Sequence, residues 1–521
     1  MNPVLLELMK NAVSAVPEEM GAVLKRTAYS PNIKERMDAS CAVFDAQGRM
    51  LAQAEHIPVH LGAMPLTVEC ALSAFPEWQD GDQIVVNDPY HGGSHLPDLT
   101  VIKPVFFARK IVGYVVNRAH HADIGGISPG SMPGKSTDIF QEGLIIPPCK
   151  LVASGRENRD IFALISANTR TPTERIGDIR AQIAANNLGD RRVVELISHY
   201  SIATYTEFTK SITAYSERRM RHAIAAMPNG TYTAEDVLDD DGITEVPVKL
   251  VVAVTITDDT IAIDFEGTDR QRTGNINAPY AVTLSAVYYV LRAVTDPEIP
   301  PNYGCFAPVT VHVPEGTVLN PVHPTAVASG NVETAQRIVD VLLLALHEAL
   351  PHTIPAQSQG TMNNVAIGGR IGDSGKYFTY YETIAGGQGA LPYKDGEDGI
   401  HTHMTNTANT PIEALELSYP LRVEAYELIP GSGGAGRFSG GRGIRRAIRI
   451  LTDHATLSIQ SERRTYPPQG LEGGADGRAG QNYLLRHGKR TDLPAKVTMP
   501  LERDDLVVIE TPGGGGYGAV Q

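Results

Sequence analysis

The sequence has 521 residues, a net charge of −14, 42% hydrophobic residues and 20% charged residues. A single hydrophobic core stops growing at roughly 250–300 residues, so a folded chain of this length predicts two or three domains. The acidic balance, without any long basic run, excludes nucleic acid as an expected partner.

Cysteine usage and the N-terminal segment indicate the compartment. The four cysteines are far apart and form no C-x-x-C pair, which indicates reduced thiols rather than a disulfide framework. The N-terminal segment mixes acidic and apolar residues and lacks the continuous apolar stretch of a signal peptide. No apolar run reaches the roughly 18 residues needed to cross a bilayer. We therefore predict a cytoplasmic protein without a membrane partner.

The first part of the chain begins with a helix and continues with strands. Residues 3–28 carry apolar side chains at helical spacing and predict an amphipathic helix. The segment CAVFDAQGRMLAQ predicts two strands around a turn. Further strands are predicted over 83–90, 99–108 and 110–121. Because only Arg109 separates the last two, they predict a β-hairpin.

The rest of the chain combines helices and sheets. Residues 160–226 predict helices, and VPVKLVVAVTITDDTIAIDFEGT predicts a hairpin that turns at Asp258 and Asp259, followed by two apolar helices. From about Pro430 onward glycine dominates, which is typical of tight turns between short strands. The predicted fold is therefore α+β and multidomain, with mixed β-sheets, packed helices and a glycine-rich, β-rich C-terminal region. The predicted domains are an N-terminal α+β domain over 1–227, a middle α+β domain over 228–430 and a C-terminal domain over 431–521.

The stretch NDPYHGGSHLPDLTV concentrates histidine and aspartate at the start of a predicted strand. If the hairpin turns at Arg109, Asp98 lies opposite His120, with Cβ atoms about 4.5–5.5 Å apart. His95, in the loop just before, can fold over the same end of the sheet. Two imidazoles and a carboxylate suit Zn²⁺, Mn²⁺ or Fe²⁺ and leave positions open for water or substrate. Asp38 precedes a strand that could join this sheet and is a candidate fourth ligand, while a hydrogen-bonded loop network remains the alternative.

Other polar residues give weaker signals. Four more are predicted as turn residues or as supports of the metal ligands: Asp88, His91, His121 and Asp123. His401 and His403 share one face if their segment is extended, which makes them a candidate pocket wall. His56 and His60 are four residues apart, a spacing that would place both on one face of a helix. Pro58 between them disfavours a regular helix, so a metal site shared by the two is not predicted.

Several familiar catalytic motifs are missing. PGSMPGKST imitates a phosphate-binding loop, but only three residues separate Gly130 from Gly134 and no apolar strand precedes it, so a structural loop is predicted. The chain has no cysteine in a recognisable nucleophile context. A water molecule activated by a metal ion is the predicted nucleophile.

Long motifs occur in a fixed order along the chain: NDPYHGGSHLPDLTV, RAHHADIGG, GSMPGKSTDIFQEGLIIPP, SGNVETAQRIVD, ETIAGGQGA, DGIHTHMTNT and TPGGGGYG. Together they resemble the hydantoinase B/oxoprolinase family over essentially the whole chain. The resemblance implies metal ligands at His95, Asp98 and His120, with Asp38 as the fourth. It also fits a general base at His121 or Asp123.

The resemblance further implies a division of labour between subunits. Members of the family are subunits of ATP-dependent hydantoinases, caprolactamase and ketone carboxylases, or the C-terminal half of oxoprolinase. A separate A-type subunit or region binds ATP and phosphorylates the carbonyl oxygen of the substrate. This implies a metal-bearing hydrolase subunit of a hetero-oligomer that opens a hydantoin, oxoproline or lactam-like ring, with ATP consumed by the partner. A subunit of an acetone or acetophenone carboxylase and a non-catalytic scaffold with a structural metal are the alternatives.

Overall fold

The computed structural model describes residues 1–54, 57–372 and 375–520. Its N-terminal part contains strands β1 (Ala39–Asp45), β2 (Met50–Ala54), β3 (Gln83–Val86), β4 (Asp98–Phe107), β5 (Lys110–His120), β6 (Cys149–Ala153) and β7 (Arg156–Glu157). They form one seven-stranded sheet in the order β2-β1-β5-β4-β3-β6-β7, with every pair antiparallel. The predicted hairpin of β4 and β5 is confirmed and occupies the middle of this sheet.

Helices cover one face of the seven-stranded sheet. The helices of this part are α1 (Pro3–Thr27), α2 (Pro31–Lys34), α3 (Ala63–Ala74), α4 (Arg159–Asn168), α5 (Pro172–Tyr200) and α6 (Ile202–Ala225). Val43 and Val115 point from the sheet into a cluster with Met20 of α1 and Ala185 of α5. Because side chains alternate along a strand, the neighbouring residues point to the opposite face. The predicted helices over 3–28 and 160–226 are confirmed.

The middle part forms a second, four-stranded sheet. Its strands are β8 (Gly230–Leu238), β9 (Val248–Thr257), β10 (Thr260–Asp264) and β11 (Val309–His312), in the order β11-β10-β9-β8. Its helices are α7 (Tyr280–Val294), α8 (Tyr303–Phe306) and α9 (Ala335–His347), and a π-helical turn, Gly330–Thr334, directly precedes α9. One apolar cluster contains Ile102 of β4, Val254 of β9 and Leu342 of α9. The second face of the N-terminal sheet is thus buried against the middle part.

The C-terminal part contains two further sheets. Its elements are β12 (Asn364–Arg370), β13 (Tyr377–Thr383), α10 (Ile412–Ser418), β14 (Leu421–Leu428), β15 (Ile444–Ile450), β16 (Ala455–Gln460), β17 (Gln481–Arg486), β18 (Lys489–Leu493), β19 (Lys496–Leu501) and β20 (Leu506–Glu510). The sheets have the orders β13-β12-β16-β19 and β14-β15-β20-β17-β18. Glycine-rich segments pack backbone against backbone, and a Cβ atom on Gly387 would lie 2.0 Å from the carbonyl oxygen of Gly441.

The predicted α+β fold with several sheets is confirmed. Helix α6 ends at Ala225 and β8 begins at Gly230, close to the first predicted domain boundary. The second predicted boundary lies after residue 430. Strand β12, before it, pairs with strand β16, after it, so residues from both sides of this boundary share a sheet. The domain limits themselves stay predictions. Among the described helices, none is both long and apolar enough to span a membrane.

Candidate metal centre

Three polar residues lie side by side at one end of the N-terminal sheet, two of them in neighbouring strands and one just before a third strand. Asp98, the first residue of β4, pairs with His120, the last residue of β5. The backbone N–H of His120 donates to the carbonyl oxygen of Asp38 over 3.0 Å, just before β1. Residues opposed across neighbouring antiparallel strands point to the same face of a sheet. The sequence-based pairing of Asp98 with His120 is therefore confirmed, and β1, which begins directly after Asp38, joins the same sheet as expected. The role of Asp38 as a fourth ligand stays a prediction.

A β-bulge produces this pairing. The hairpin turn consists of Ala108 and Arg109, both with positive φ, 47° and 64°, so Phe107 pairs with Lys110. Continued without interruption, this register would place Asp98 opposite Ala119, which belongs to the cluster on the helix-covered face. The register shifts by one residue between Val105 and Phe106, because a bulge adds one residue to one strand. His120 consequently points to the same face as Asp98.

His95 completes a buried cluster with Asp98 and His120. Its Nε2 lies 3.5 Å from Oδ2 of Asp98, and its ring centroid lies 4.9 Å from that of His120. Each of the three residues offers one ligand atom, and these atoms lie within 4.8 Å of one another. Metal ions bound by nitrogen and oxygen have bonds of roughly 2.0–2.2 Å, so a single ion can be reached by all three after small shifts.

The hydrogen bonding of this cluster fits a metal ion. Both ring nitrogens of His95, Nε2 of His120 and Oδ1 of Asp98 are buried and have no hydrogen-bond partner among the residues that the structure describes. Buried polar atoms in folded proteins almost always have partners. Four such atoms in one place indicate a ligand that accepts lone pairs, and imidazole and carboxylate are the donor types for Zn²⁺, Mn²⁺ or Fe²⁺.

The electrostatics favour the protonation states that bind metals. Burial on its own would raise the pKa of Asp98, but the neighbouring His95 and His60 outweigh it, and the pKa lies well below the ordinary 3.8. Burial, reinforced by His95, holds the pKa of His120 well below its ordinary 6.5. Burial raises the pKa of Asp38, which Arg36 partly offsets. Asp98 is thus an anion and His120 is neutral near pH 7, as metal binding requires.

Surrounding residues hold the candidate ligands in position. The hydroxyl of Ser94 donates to Oδ2 of Asp98. The amide nitrogen of Asn32 donates to the carbonyl oxygen of His120 over 2.7 Å and lies 3.1 Å from its Nδ1. The ring of Tyr381 stacks on that of His120, with centroids 4.7 Å apart. Such supporting contacts fix the orientation of metal ligands.

His60 lies beside this cluster, a position that the sequence did not predict. Its Nε2 lies 3.6 Å from Oδ2 of Asp98, and its Nδ1 lies 2.9 Å from the hydroxyl of Ser40. Pro58 starts a 3-10 turn that ends at His60. The sequence predicted only that Pro58 would prevent a regular helix, whereas in the structure the turn that it starts positions the His60 side chain. Its suggested partner, His56, lies outside the described residues.

Other predicted residues have contacts of their own. Nε2 of His121 lies 3.0 Å from Oε1 of Gln182, and burial, reinforced by Arg175, lowers the pKa of His121 to about 4. The carboxylate of Asp123 accepts hydrogen bonds from the backbone N–H and the guanidinium of Arg170, each within 2.9 Å. These contacts do not bring Asp123 into the metal cluster.

Two loop residues have the turn role that was predicted for them. The carboxylate of Asp88 caps the turn Pro89–His91, accepting from the N–H of Tyr90 over 2.9 Å, and lies 2.8 Å from Nδ1 of His91.

The histidine pair near the C-terminal part lines a cavity. His401 and His403 face a space of about 370 Å³ next to Tyr289 of α7. Nδ1 of His403 lies 3.4 Å from the hydroxyl of Tyr289. Both ring nitrogens of His401 are buried without a hydrogen-bond partner in the described part of the chain. The predicted pocket wall is therefore present.

The fold and the buried cluster define a class of protein. It is an α+β protein that carries histidine and aspartate side chains suited to binding a metal ion at the end of an antiparallel sheet. The particular family follows from comparison with known proteins. The family described as hydantoinase B/oxoprolinase matches residues 2–520, and the chain belongs to it. This confirms the resemblance drawn from the sequence motifs.

Individual relatives differ in length. An uncharacterised protein of Methanocaldococcus jannaschii is 44% identical over 100% of this chain and 91% of its own length. A 5-oxoprolinase of Dictyostelium discoideum is 38% identical over 99% of this chain but only 40% of its own length. The chain thus spans about two fifths of that 5-oxoprolinase.

Solved structures share the fold. An ATP-dependent caprolactamase from Pseudomonas jessenii has a TM-score of 0.93 at 28% identity, covering 100% of this chain and 91% of the other. An acetone carboxylase chain has a TM-score of 0.90 at 20% identity, covering 99% and 76%, and this likeness concerns the fold alone.

Proposed function

We propose that this chain is the metal-bearing subunit of an ATP-dependent amidohydrolase that opens a cyclic amide whose carbonyl oxygen has been phosphorylated by a partner subunit. The observation that carries the proposal is the buried His95, Asp98 and His120 cluster with its unpartnered ligand atoms. Membership of the hydantoinase B/oxoprolinase family supports the reaction class.

The ligand set of the proposed centre is His95, Asp98 and His120, with Asp38 as the fourth residue. A divalent ion of Zn, Mn or Fe bound there supplies Lewis acidity and lowers the pKa of water toward neutrality. The chain itself holds the carboxylate of Asp98 between Ser94 and His60 and keeps the ring of His120 against Tyr381. Rigid placement of this kind reduces the reorganisation that the reaction requires.

Three residues are candidates for the general base. His121 and Asp123 were predicted from the sequence, and both are engaged by helix and loop partners. We add His60, because its Nε2 lies 3.6 Å from Oδ2 of Asp98, beside the cluster. A general base must reach the proton that it removes, so His60→Gln is expected to lower kcat more than His121→Gln.

The partner is proposed to be an A-type, ATP-binding subunit. The sequence of this chain contains no phosphate-binding motif in the required strand and helix context, whereas the caprolactamase of similar fold is ATP-dependent. The 5-oxoprolinase relative is more than twice as long as the part matched here, which leaves room for an ATP-binding region. A cytoplasmic location fits the four cysteines, because none of them forms a disulfide in the described part of the chain.

Reconstitution tests the proposal. The chain is co-purified with an A-type subunit, loaded with metal, and assayed for ADP release and ring opening with hydantoin, 5-oxoproline and ε-caprolactam. We expect ADP and ring-opened product in equal amounts from at least one ring, and no product from the Asp98→Ala complex. Unchanged turnover by the Asp98→Ala complex would contradict the proposal.

A ketone carboxylase subunit is the second candidate, supported by the fold shared with acetone carboxylase. The same complex, supplied with acetone, ATP and bicarbonate, separates the two functions. Product that requires bicarbonate would favour the carboxylase, and ring opening without bicarbonate favours the hydrolase.

A further inference from the structure

Two fully buried arginine side chains have no carboxylate partner. The largest fully buried side chains of the described structure are six arginines: Arg36, Arg118, Arg175, Arg337, Arg446 and Arg463. The last four form ion pairs with buried carboxylates, on Asp178, Asp236, Glu382 and Asp236. In the described structure, the hydrogen bonds of Arg36 and Arg118 go to neutral oxygen atoms instead. A buried cation without a counter-ion is costly, so these two arginines indicate that an anion binds nearby.

Both arginines lie beside the proposed metal centre. Nη1 of Arg118 lies 3.4 Å from the hydroxyl of Ser94, which in turn donates to Asp98. Burial raises the pKa of Asp38, and Arg36 is the cation that offsets this effect most. A divalent ion held by Asp38 and Asp98 would cancel the charges of these two carboxylates. The charges of Arg36 and Arg118 would then have no counter-ion until an anionic ligand binds.

The guanidinium of Arg36 keeps a donor for such a ligand. Its two terminal nitrogens donate to one carbonyl and three side-chain oxygens, on Tyr381, Asn32, Thr383 and Thr407. Its Nε is buried without a hydrogen-bond partner among the described residues. Each side-chain nitrogen of Arg118, in contrast, donates to a hydroxyl group. Arg36 can therefore donate to a ligand directly, while Arg118 contributes its charge.

A cavity of small-molecule size lies beside Arg36. Its volume is about 370 Å³, and ligand pockets in proteins usually measure roughly 300–1,000 Å³. His401, Thr402 and Asn406 line it, and the residue that follows them, Thr407, accepts a hydrogen bond from Arg36. Arg36 is also close enough to His401 to reinforce the effect of burial, which lowers the pKa of that ring to about 3.

The side of the cavity next to Arg36 offers further unused donors. Both ring nitrogens of His401 and the hydroxyl of Thr402 are buried without a hydrogen-bond partner in the described part of the chain. Among the described residues that line the cavity, none is Asp or Glu, so no carboxylate there repels an anion. Guanidinium, imidazole and hydroxyl groups all donate hydrogen bonds, and those from a guanidinium to an anion are the strongest.

A phosphoryl group matches this environment. It carries about two negative charges near pH 7 and has three strong acceptor oxygens. Two charges are what Arg36 and Arg118 leave without a counter-ion once a divalent metal is bound.

We propose that the part of this cavity next to Arg36, His401 and Thr402 is a phosphoryl-binding subsite, which holds the phosphoryl group of the incoming ring beside the metal centre. The inference rests on the proposed function and deepens it, because it assigns recognition of the phosphoryl group to residues of this chain. A ring that has not been phosphorylated lacks this contact and is released. The phosphoryl group of an ester and inorganic phosphate share the required chemistry, and the experiment separates them.

Isothermal titration calorimetry on the purified, metal-loaded full chain tests the inference. The probes are phenyl phosphate, inorganic phosphate and benzoate, which has a ring of the same size and a single charge. The variants are Arg36→Gln, the charge-conserving Arg36→Lys and His401→Ala. Arg191→Gln is the control, because the side chain of Arg191 is 65% exposed on α5.

We expect phenyl phosphate to bind the wild type and Arg191→Gln equally. Arg36→Gln should bind it roughly 10–100-fold more weakly, because a hydrogen bond to a charged group is lost, and His401→Ala about tenfold more weakly. Arg36→Lys should lie between the wild type and Arg36→Gln, because it keeps the charge without the planar group. Benzoate should bind the wild type more weakly than phenyl phosphate does.

Equal affinity of the wild type, Arg36→Gln and His401→Ala for both phosphate probes would overturn the inference. So would benzoate binding as tight as that of phenyl phosphate, or no binding of either phosphate probe. If Arg36→Gln does not fold, as judged by circular dichroism, Arg36→Lys and His401→Ala decide by the same criteria. Tighter binding of phenyl phosphate assigns the subsite to the esterified group, and tighter binding of inorganic phosphate assigns it to the released product.

Metal analysis of the same samples separates this inference from the proposed function. His401→Ala is expected to keep its metal and to lose affinity for phenyl phosphate. A wild type without metal that still binds phenyl phosphate through Arg36 would count against the proposed function alone. A wild type that opens a ring with its A-type partner, but whose phosphate binding does not depend on Arg36 or His401, would count against the inference alone.

Discussion

Glu333 is expected to make the stability of the protein depend on pH. It lies in the π-helical turn Gly330–Thr334 and is fully buried. Its Oε1 accepts from the N–H of Met362 over 3.1 Å and from the side-chain amide of Asn364 over 2.8 Å. Its Oε2 is buried without a hydrogen-bond partner in the described residues. Burial raises the pKa of this carboxyl from 4.5 to about 8, so the side chain is protonated at pH 7.

The sign of the effect follows from the raised pKa. The folded state binds the proton of Glu333 more tightly than the unfolded state, so stability falls as pH rises from about 4.5 to about 8. One pKa unit corresponds to about 1.36 kcal/mol, which gives a loss of roughly 3–5 kcal/mol above pH 8. Glu333→Gln has nearly the same shape and no charge, so it lacks this loss.

Urea unfolding at pH 5, 7 and 9, followed by fluorescence of the single tryptophan, measures the effect. The difference in unfolding free energy between Glu333→Gln and the wild type should grow in favour of the variant from pH 5 to pH 9. Glu245→Gln, at an exposed position, is the matched control and should follow the wild type. Parallel curves for Glu333→Gln and the wild type would refute the assigned burial of an ionisable carboxyl.

Two further predictions concern the buried charges and the supports of the metal ligands. Lys496 is buried with its ammonium 2.6 Å from Glu462, whose other cationic neighbour, Arg337, is 3.5 Å away. Lys496→Ala should cost up to roughly 3–5 kcal/mol in urea unfolding, because it removes the nearer cation from a buried carboxylate. Lys489→Ala, at an exposed position on β18, should change stability by less than about 0.5 kcal/mol, and equal unfolding midpoints for the two variants would contradict this. Ser94→Ala removes a hydrogen bond to Asp98, so metal affinity measured by chelator competition should fall about 10–100-fold, and an unchanged affinity would contradict the supporting role.

Much of the fold and part of the site follow from local sequence patterns. Alternating apolar residues predicted β4 and β5, and a short turn between them predicted that Asp98 and His120 face each other. The prediction succeeded although the turn has two residues, because the bulge at Val105 and Phe106 restores the spacing. A bulge leaves little signal in hydrophobic alternation, so the sequence alone did not reveal it.

Contacts between distant segments were beyond sequence reasoning. Tyr381 reaches His120 from strand β13 of another sheet, and no local pattern links the two. His60 is placed by the packing of a 3-10 turn rather than by a periodic element. The predicted domains likewise came from local composition, whereas one apolar cluster is shared by the N-terminal and middle parts. Long-range packing decides such features.

The proposed metal centre is tested by measuring the metal content of the purified chain with inductively coupled plasma mass spectrometry. Wild type is compared with Asp98→Ala and His120→Ala, and with His91→Ala as a control from the same loop, since the side chain of His91 is 54% exposed. We expect about one equivalent of Zn, Mn or Fe in the wild type and the control, and loss of the metal from both other variants. Metal retained at the wild-type level in Asp98→Ala and His120→Ala, or a wild type that binds none when these ions are supplied, would contradict it.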